Sequence, residues 1–205
     1  MEIRRGSQVK KIYITNGTAR SGKDSFAELL SKYISVFKYS SIDLVKEMYE
    51  TIGIDRNSKD EKKRKLYSDT KDMLTKYDDI PFKDIASIVS DFKNNQIDAE
   101  VLLIDIREPE EIARAVETLG AEAILIRNPN VRKIESNHAD KNVENYNYDY
   151  IIENNGTLEQ LDGVAKSFCE NIIKEQSGLP KDAYCIFSDN TKKKTIVFQC
   201  NKMLR

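Results

Sequence analysis

The residues with the clearest chemical potential lie in residues 12–26, I-Y-I-T-N-G-T-A-R-S-G-K-D-S-F. Gly17 and Gly22 bracket four residues and Lys23 follows, which is the G-x-x-x-x-G-K spacing of a phosphate-binding loop. Glycines allow the backbone to coil until several N–H groups point into one hollow, and the start of a helix adds its dipole. The lysine supplies a point charge for the outer phosphates. The stretch therefore predicts a site for the phosphates of a nucleotide.

The flanking sequence agrees with this interpretation. An apolar run at residues 12–14 predicts a strand before the loop, and apolar residues recur at helical spacing from Lys23 to about Tyr33. A strand before and a helix after are the context that the motif requires. The alternative is a glycine-rich turn with an exposed lysine. The predicted phosphate-binding residues are Gly17, Arg20, Ser21, Gly22, Lys23, Asp24 and Ser25.

Charged side chains are also expected at the ends of predicted strands, where open α/β sheets bind their ligands. Asp43 follows the second predicted strand, and its alternative role is a plain N-cap of the next helix. Asp105 ends the most apolar strand, and with Asp24 it is predicted to bind magnesium, because carboxylate oxygens suit that ion. Arg107 and Arg127 follow or end strands and are suited to gripping phosphate.

A polar segment at about 128–145 follows Arg127 and carries Arg132 and Lys133. We interpret it as a lid that closes over the nucleotide, because a phosphotransferase must exclude water from its site. For each of Arg107, Arg127 and Arg132, the alternative is a surface ion pair.

Composition limits the class of protein. The chain has 205 residues, of which 40% are hydrophobic and 33% charged, with a net charge of −1. Such a charge gives no reason to expect nucleic acid or membrane surfaces as partners, and no apolar run approaches the length of a membrane span. Cys169, Cys185 and Cys200 lack metal-like spacing and are interpreted as reduced thiols. The expected location is the cytoplasm.

Strand-like and helical patterns alternate along most of the chain, which predicts a three-layer α/β/α fold with a parallel sheet. Five strands are expected, at residues 12–14, 36–42, 101–106, 123–126 and 148–152. The helix at Pro109–Leu119 is predicted to begin at its proline and to end at Gly120. A last helix is predicted from Leu158 to about Gln176.

Two segments depart from this alternation. Residues 51–95 are charge-rich and carry two helical patterns separated at Pro81, which predicts a helical insertion over one end of the sheet. Two β-like runs at 183–187 and 195–200 predict a C-terminal β-hairpin, which would cover a sheet edge or mediate contacts in a homodimer. The predicted organisation is a core at 1–180, the insertion at about 51–95, a lid at about 128–145 and a tail at 181–205.

Four stretches resemble one family of enzymes. The loop G-T-A-R-S-G-K-D-S resembles the P-loop of phage and bacterial deoxynucleoside monophosphate kinases and of animal-type phosphomevalonate kinases, which also place Asp after the lysine. Residues 41–46 are similar to the family's A-D-P-hydrophobic-K segment, with Leu44 in place of proline. Residues 104–111 resemble D-V-R-F-P-N-E, with Glu108 where an aromatic is common. Residues 148–158 resemble a D-hydrophobic-I-x-N-x-G-T-L run that dephospho-coenzyme A kinases share.

The resemblance implies a P-loop NTPase fold and an ATP-dependent, magnesium-requiring kinase that phosphorylates a nucleoside or deoxynucleoside monophosphate. It implies that Asp43, Lys46 and Arg107 face the acceptor. It also implies that Arg127 and Arg132 neutralise the transferred phosphoryl group. The residues expected near the adenine are Asn154, Asn155 and Gly156, and the expected catalytic residues are Lys23, Asp43, Arg107 and Arg127. A phosphomevalonate-type metabolite kinase and a non-catalytic nucleotide-binding regulatory protein remain as alternatives.

Overall fold

The computed structural model describes residues 10–56, 60–131, 143–176 and 196–199. These residues form two compact units. The described part of residues 39–97 makes one unit, and the rest of the described chain makes the other, which contains most of the sheet.

The sheet has six strands within the described residues, in the order β2-β3-β1-β4-β5-β6. The strands are β1 (Lys11–Asn16), β2 (Val36–Ser40), β3 (Val101–Asp105), β4 (Glu122–Arg127), β5 (Tyr150–Glu153) and β6 (Ile196–Gln199). Strand β1 pairs in parallel with β3 and β4, and β5 pairs in parallel with β4 and β6. The predicted α/β class with a parallel sheet is confirmed, and the prediction of five strands is wrong.

The additional strand is β6, which comes from the second run of the predicted hairpin. It pairs in parallel with β5, with Ile151 opposite Val197, and the ring of Phe198 packs edge-on against Phe168 at 5.4 Å between centroids. The unpaired edge of β5 and the nearby aromatic rings therefore recruit this apolar run into the sheet. The first run, at 183–187, lies outside the described residues.

Six helices lie in the described part of the chain, numbered in sequence order. They are α1 (Lys23–Leu30), α2 (Asp43–Glu50), α3 (Glu61–Asp78), α4 (Ile80–Lys93), α5 (Pro109–Leu119) and α6 (Leu158–Gln176). Helix α5 begins at its proline and ends at Gly120 with φ of 69°, as predicted. Helix α1 ends before the predicted Tyr33, because the N–H groups of Lys32 and Tyr33 donate to carbonyls three residues back and the chain tightens into a turn.

Helices cover both faces of the sheet. The buried residues of α1 and α6 form one core cluster with alternate strand residues, in which Phe168 packs edge-on against Tyr13, Phe26 and Tyr150. The residues between them in the strands, such as Ile14, point the other way, and α5 contacts β1 and β4. Right-handed crossovers place α1 and α5 on opposite faces, because the two connections run in opposite directions along the sheet.

The second unit contains α2, α3 and α4. Asp60 caps α3 by accepting from the backbone N–H of Lys62 at 3.1 Å, and Asp79 joins α3 to α4 in the left-handed conformation with φ of 52°. The two predicted helices are confirmed, although Pro81 lies in the first turn of α4 and does not separate them. Within the described residues, no helix combines the length and apolar character that crossing a membrane demands.

Candidate functional site

The loop of residues 17–22, here called the glycine loop, leaves β1 at the place where the strand order reverses. Strand β1 lies between β3 and β4. After β1 the chain continues to β2 on one side of the sheet, whereas after β4 it continues to β5 on the other side. Ligands of open α/β sheets bind outside the carboxyl ends of the strands at such a reversal. The sequence-predicted loop therefore lies where the topology predicts a ligand.

Both bracketing glycines are required by their surroundings. A Cβ atom at Gly17 would lie 2.4 Å from the carbonyl oxygen of Ile126, which is backbone and cannot turn away. Gly22 has φ of 96°, and a Cβ there would lie 2.2 Å from the amide nitrogen of Asn154. The side chain of Asn154 itself donates to the carbonyl of Ser21 at 2.9 Å. The loop thus packs tightly against the ends of β4 and β5.

The glycine loop carries a buried polar atom that lacks a partner within the described chain. Ser21 is 1% exposed, and its hydroxyl makes no hydrogen bond to the described residues. Its backbone N–H donates to the carbonyl of Thr18 at 3.0 Å, and the N–H of Phe26 donates to Gly22 to begin α1. Arg20 has φ of 67°, which coils the loop further. Since a buried hydroxyl normally has a partner, the loop fits an oxygen-rich anion such as phosphate.

A cluster of four charged side chains, here called the lysine–aspartate cluster, lies beside the glycine loop. The ammonium of Lys23 lies 3.0 Å from Oδ2 of Asp105, and that of Lys38 lies 3.5 Å from the same oxygen. Lys38 also pairs with Asp24, and Thr15 donates to Oδ1 of Asp105. One carboxylate at the end of β3 is therefore shared by two lysines and a hydroxyl.

The charges of this cluster stabilise each other. Burial alone would raise the pKa of the Asp105 carboxyl, but the ammonium groups of Lys23 and Lys38 and the hydrogen bond from Thr15 outweigh it and lower that pKa. Burial alone would lower the pKa of Lys38, but the carboxylates of Asp105 and Asp24 outweigh it and raise that pKa. The carboxylate of Asp105 and the ammonium of Lys38 are consequently charged at neutral pH.

Asn16, which sequence reasoning did not select, ties the loop to two other parts of the chain. Its side chain is fully buried and donates to the carbonyl of Arg107 at 3.1 Å and to the hydroxyl of Tyr148 at 2.9 Å. Its Oδ1 accepts from the N–H of Gly17 at 2.8 Å. Tyr148 donates in turn to the carbonyl of Val143 at 2.6 Å, and burial raises the pKa of Tyr148 to about 12. The position directly before Gly17 was the only sequence signal for this role.

The other side of the loop, at the ends of β4 and β5, is arranged differently. Nε of Arg127 donates to Oε1 of Glu153 at 3.0 Å, and its Nη2 contacts the same oxygen. The backbone N–H of Asn154 donates to the carbonyl of Arg127 at 2.8 Å. A cavity of about 330 Å³ opens here, with Thr18 and Arg127 among its lining residues.

The predicted site residues fall into separate groups. Ser25 is in the first turn of α1, and Asn155 and Gly156 lie in the exposed loop between β5 and α6. Arg107 is exposed, and its guanidinium forms no ion pair with the described residues. Arg132 and Lys133, with most of the predicted lid, lie outside those residues. The contact of Asn154 with the glycine loop was not predicted.

Two predicted acceptor residues lie on α2, in the second unit. Lys46 donates to Oδ1 of Asp43 at 2.8 Å, and the guanidinium of Arg56 lies 3.6 Å from the same oxygen. Asp43 is the first residue of α2 and Ile42 is its N-cap, so the N-cap alternative is wrong. Arg56 was not predicted, because it lies 13 positions after Asp43 in an irregular stretch.

Asp24 and Asp105, the residues predicted to bind magnesium, provide part of a site for that ion. Among the described residues, no group of three or more His, Cys, Asp or Glu side chains is placed to hold a metal. The carboxylates of Asp24 and Asp105 nevertheless converge on one cation, the ammonium of Lys38, which stands in for a metal. Magnesium is commonly held by one or two carboxylates with phosphate oxygens and water completing its shell. The pair therefore suits a magnesium ion that arrives with a nucleotide.

Comparisons with known proteins add no assignment. No protein-family model matches the chain, and no curated protein matches it. The features that bear on function are consequently the loop, the strand order and the charged side chains around them.

Proposed function

We propose that this chain is a P-loop kinase that transfers the γ-phosphoryl group of ATP to a nucleoside or deoxynucleoside monophosphate. One observation carries the proposal. The glycine loop leaves the strand at the topological reversal and directs Lys23 to Asp105 at the end of the adjacent strand, and its buried Ser21 hydroxyl has no partner among the described residues. Backbone amides, a helix start and a lysine at one point are suited to a chain of phosphates.

Phosphoryl transfer asks a protein mainly for positioning and for neutralisation of charge. In this proposal the amides of the glycine loop and the ammonium of Lys23 hold the donor phosphates. Asp24 and Asp105 would hold a magnesium ion, which would supply neutralisation of phosphate charge. Asn16 fixes the start of the loop and the backbone of Arg107, so that donor and acceptor groups are held in register.

The acceptor class is supported by the resemblance of residues 41–46 and 104–111 and by the state of Arg107. Its guanidinium is exposed and forms no ion pair among the described residues, and it follows β3 by two positions. An arginine in that state is available to bind an anionic acceptor bidentately. Asp43 and Lys46 are assigned to the acceptor by the resemblance alone.

A second candidate, a nucleotide-binding protein without turnover, is favoured by one observation. Two nitrogens of the Arg127 guanidinium contact Glu153, so this arginine must leave a buried carboxylate before it contacts a transferred phosphoryl group. Such a protein would bind ATP but would not release ADP in response to an acceptor.

The test is a coupled ADP-release assay with ATP and magnesium. The acceptor panel comprises ribonucleoside and deoxynucleoside monophosphates, phosphomevalonate and dephospho-coenzyme A, with Lys23→Ala as the blank. Lys32→Ala is the matched control, because Lys32 is also ion-paired, to Asp162, but lies outside the loop. Acceptor-dependent release in the wild type and the control, and not in Lys23→Ala, would support a kinase. ATP binding by thermal shift without release for any acceptor would support the second candidate.

A further inference from the structure

We propose that Lys38 is a tethered cation that competes with a divalent metal ion for Asp24 and Asp105. This inference rests on the proposed function for the identity of its competitor, the magnesium ion that accompanies ATP. Lys38 is the third residue of β2, and sequence reasoning assigned this lysine no chemical role. Its role here is that of a positioning residue, which sets the metal affinity of the site.

The geometry shows why the two cations exclude each other. The ammonium of Lys38 contacts Asp24 and lies 3.5 Å from Oδ2 of Asp105. That same oxygen also faces Lys23 at 3.0 Å, while Oδ1 accepts from Thr15. Both oxygens of Asp105 are therefore engaged. A metal ion bound directly to both carboxylates would have to displace Lys38 from the point on which they converge.

The net charge of the lysine–aspartate cluster also supports competition between Lys38 and a metal ion. Two carboxylates and two ammonium groups make the lysine–aspartate cluster neutral, so it attracts a further cation weakly. Loss of the Lys38 charge would leave a net negative charge around Asp24 and Asp105, and the attraction for a divalent ion is strong at such short range. Lys23 differs from Lys38, because Lys23 is continuous with the glycine loop and has the donor phosphates as an alternative partner.

The experiment measures metal binding without nucleotide, so that its readout is independent of turnover. Purified protein is titrated with Mn²⁺, and free Mn²⁺ is followed by electron paramagnetic resonance. We expect Lys38→Met to bind Mn²⁺ at least about tenfold more tightly than the wild type. Lys38→Arg, which keeps the charge, and Lys32→Met, a matched lysine paired with Asp162, should both behave as the wild type. The gain should disappear when Asp24→Asn is added to Lys38→Met.

An Mn²⁺ affinity of Lys38→Met equal to that of the wild type would overturn the inference. So would an equal gain in Lys32→Met, or a gain that survives Asp24→Asn. Far-UV circular dichroism checks that the variant is folded, and Lys38→Gln replaces it if the methionine variant does not fold. The two proposals fail separately. Tighter Mn²⁺ binding without ADP release would reject the kinase alone, whereas ADP release without tighter Mn²⁺ binding would reject the role of Lys38 alone.

Discussion

On the two sides of the glycine loop, a carboxylate at the end of a strand is neutralised in different ways. At the end of β3, two lysines share the carboxylate of Asp105, and Lys38 also reaches Asp24. At the ends of β4 and β5, one arginine engages one carboxylate through two nitrogens, in the pair of Arg127 with Glu153. In the first arrangement two ammonium groups contact the carboxylate of Asp105, whereas in the second one guanidinium contacts the carboxylate of Glu153.

The difference indicates which side can exchange partners. Lysine is a point charge on a flexible stem, and either ammonium can leave Asp105 while the other stays. Arginine is a planar fork that keeps its geometry, so that releasing Arg127 would leave Glu153 buried without a cation. We therefore expect ligand exchange on the β3 side and structural support on the β4–β5 side.

The largest expected effect is on turnover and comes from the β3 side. We expect Lys23→Ala to lower acceptor-dependent ADP release by roughly 10²–10³-fold, as loss of one preorganised charge contact typically does. The free energy of unfolding should fall by less than about 1.5 kcal/mol, because Asp105 keeps Lys38 and Thr15. Initial rates and urea unfolding measure the two quantities. Normal turnover in this variant would reject the assignment of the loop.

The next largest expected effect is on the free energy of unfolding, which should differ between variants on the two sides of the glycine loop. Asp105→Asn removes the carboxylate that faces Lys23 and leaves Lys38 with Asp24 alone, and it should cost about 3 kcal/mol of unfolding free energy. Glu153→Gln should cost no more than about 1 kcal/mol, because Arg127 has a side chain that is 44% exposed and water can solvate it. Urea unfolding at neutral pH compares the variants. Equal losses of unfolding free energy in the two variants would show that a carboxylate shared by two lysines is no more important for stability than one paired with a single arginine.

Alkaline pH tests the burial of the Tyr148 hydroxyl, to which Asn16 donates. The pKa of Tyr148 is raised from 10.0 to about 12, so folding favours the neutral hydroxyl. The corresponding stability is complete below pH 10 and is lost as the pH rises through about 12, by roughly 2–3 kcal/mol. We expect the difference between absorbance titrations of wild type and Tyr148→Phe at 295 nm to have its midpoint near pH 12. A midpoint near pH 10 would mean that this hydroxyl is not buried beside the loop.

The smallest expected effect concerns the exposed arginine after β3. We expect Arg107→Ala to raise the KM for the acceptor about tenfold, or about 1.4 kcal/mol, with the KM for ATP changed by less than about twofold. Arg114→Ala, an exposed arginine on α5, is the matched control. Equal rises in both KM values would contradict the assignment of Arg107 to the acceptor.

Local signals in the sequence determined most of the elements. The proline, acidic first turn and final glycine located α5 at both ends, and the apolar run of residues 101–104 located β3. The G-x-x-x-x-G-K spacing located the turn between β1 and α1. These features were predictable because caps, turns and hydrophobic periodicity depend on residues a few positions apart.

The pairing of charges and the last strand were decided by the tertiary structure. Lys38 meets Asp105 across 67 positions of sequence only because β2 and β3 are neighbours in the sheet. The run at β6 joined β5 in parallel, because a free sheet edge and aromatic rings were available there. Local sequence patterns specified the loop and the types of residue around it. Strand order decided which charges share a partner, since electrostatic energy depends on distances in space that local patterns do not encode.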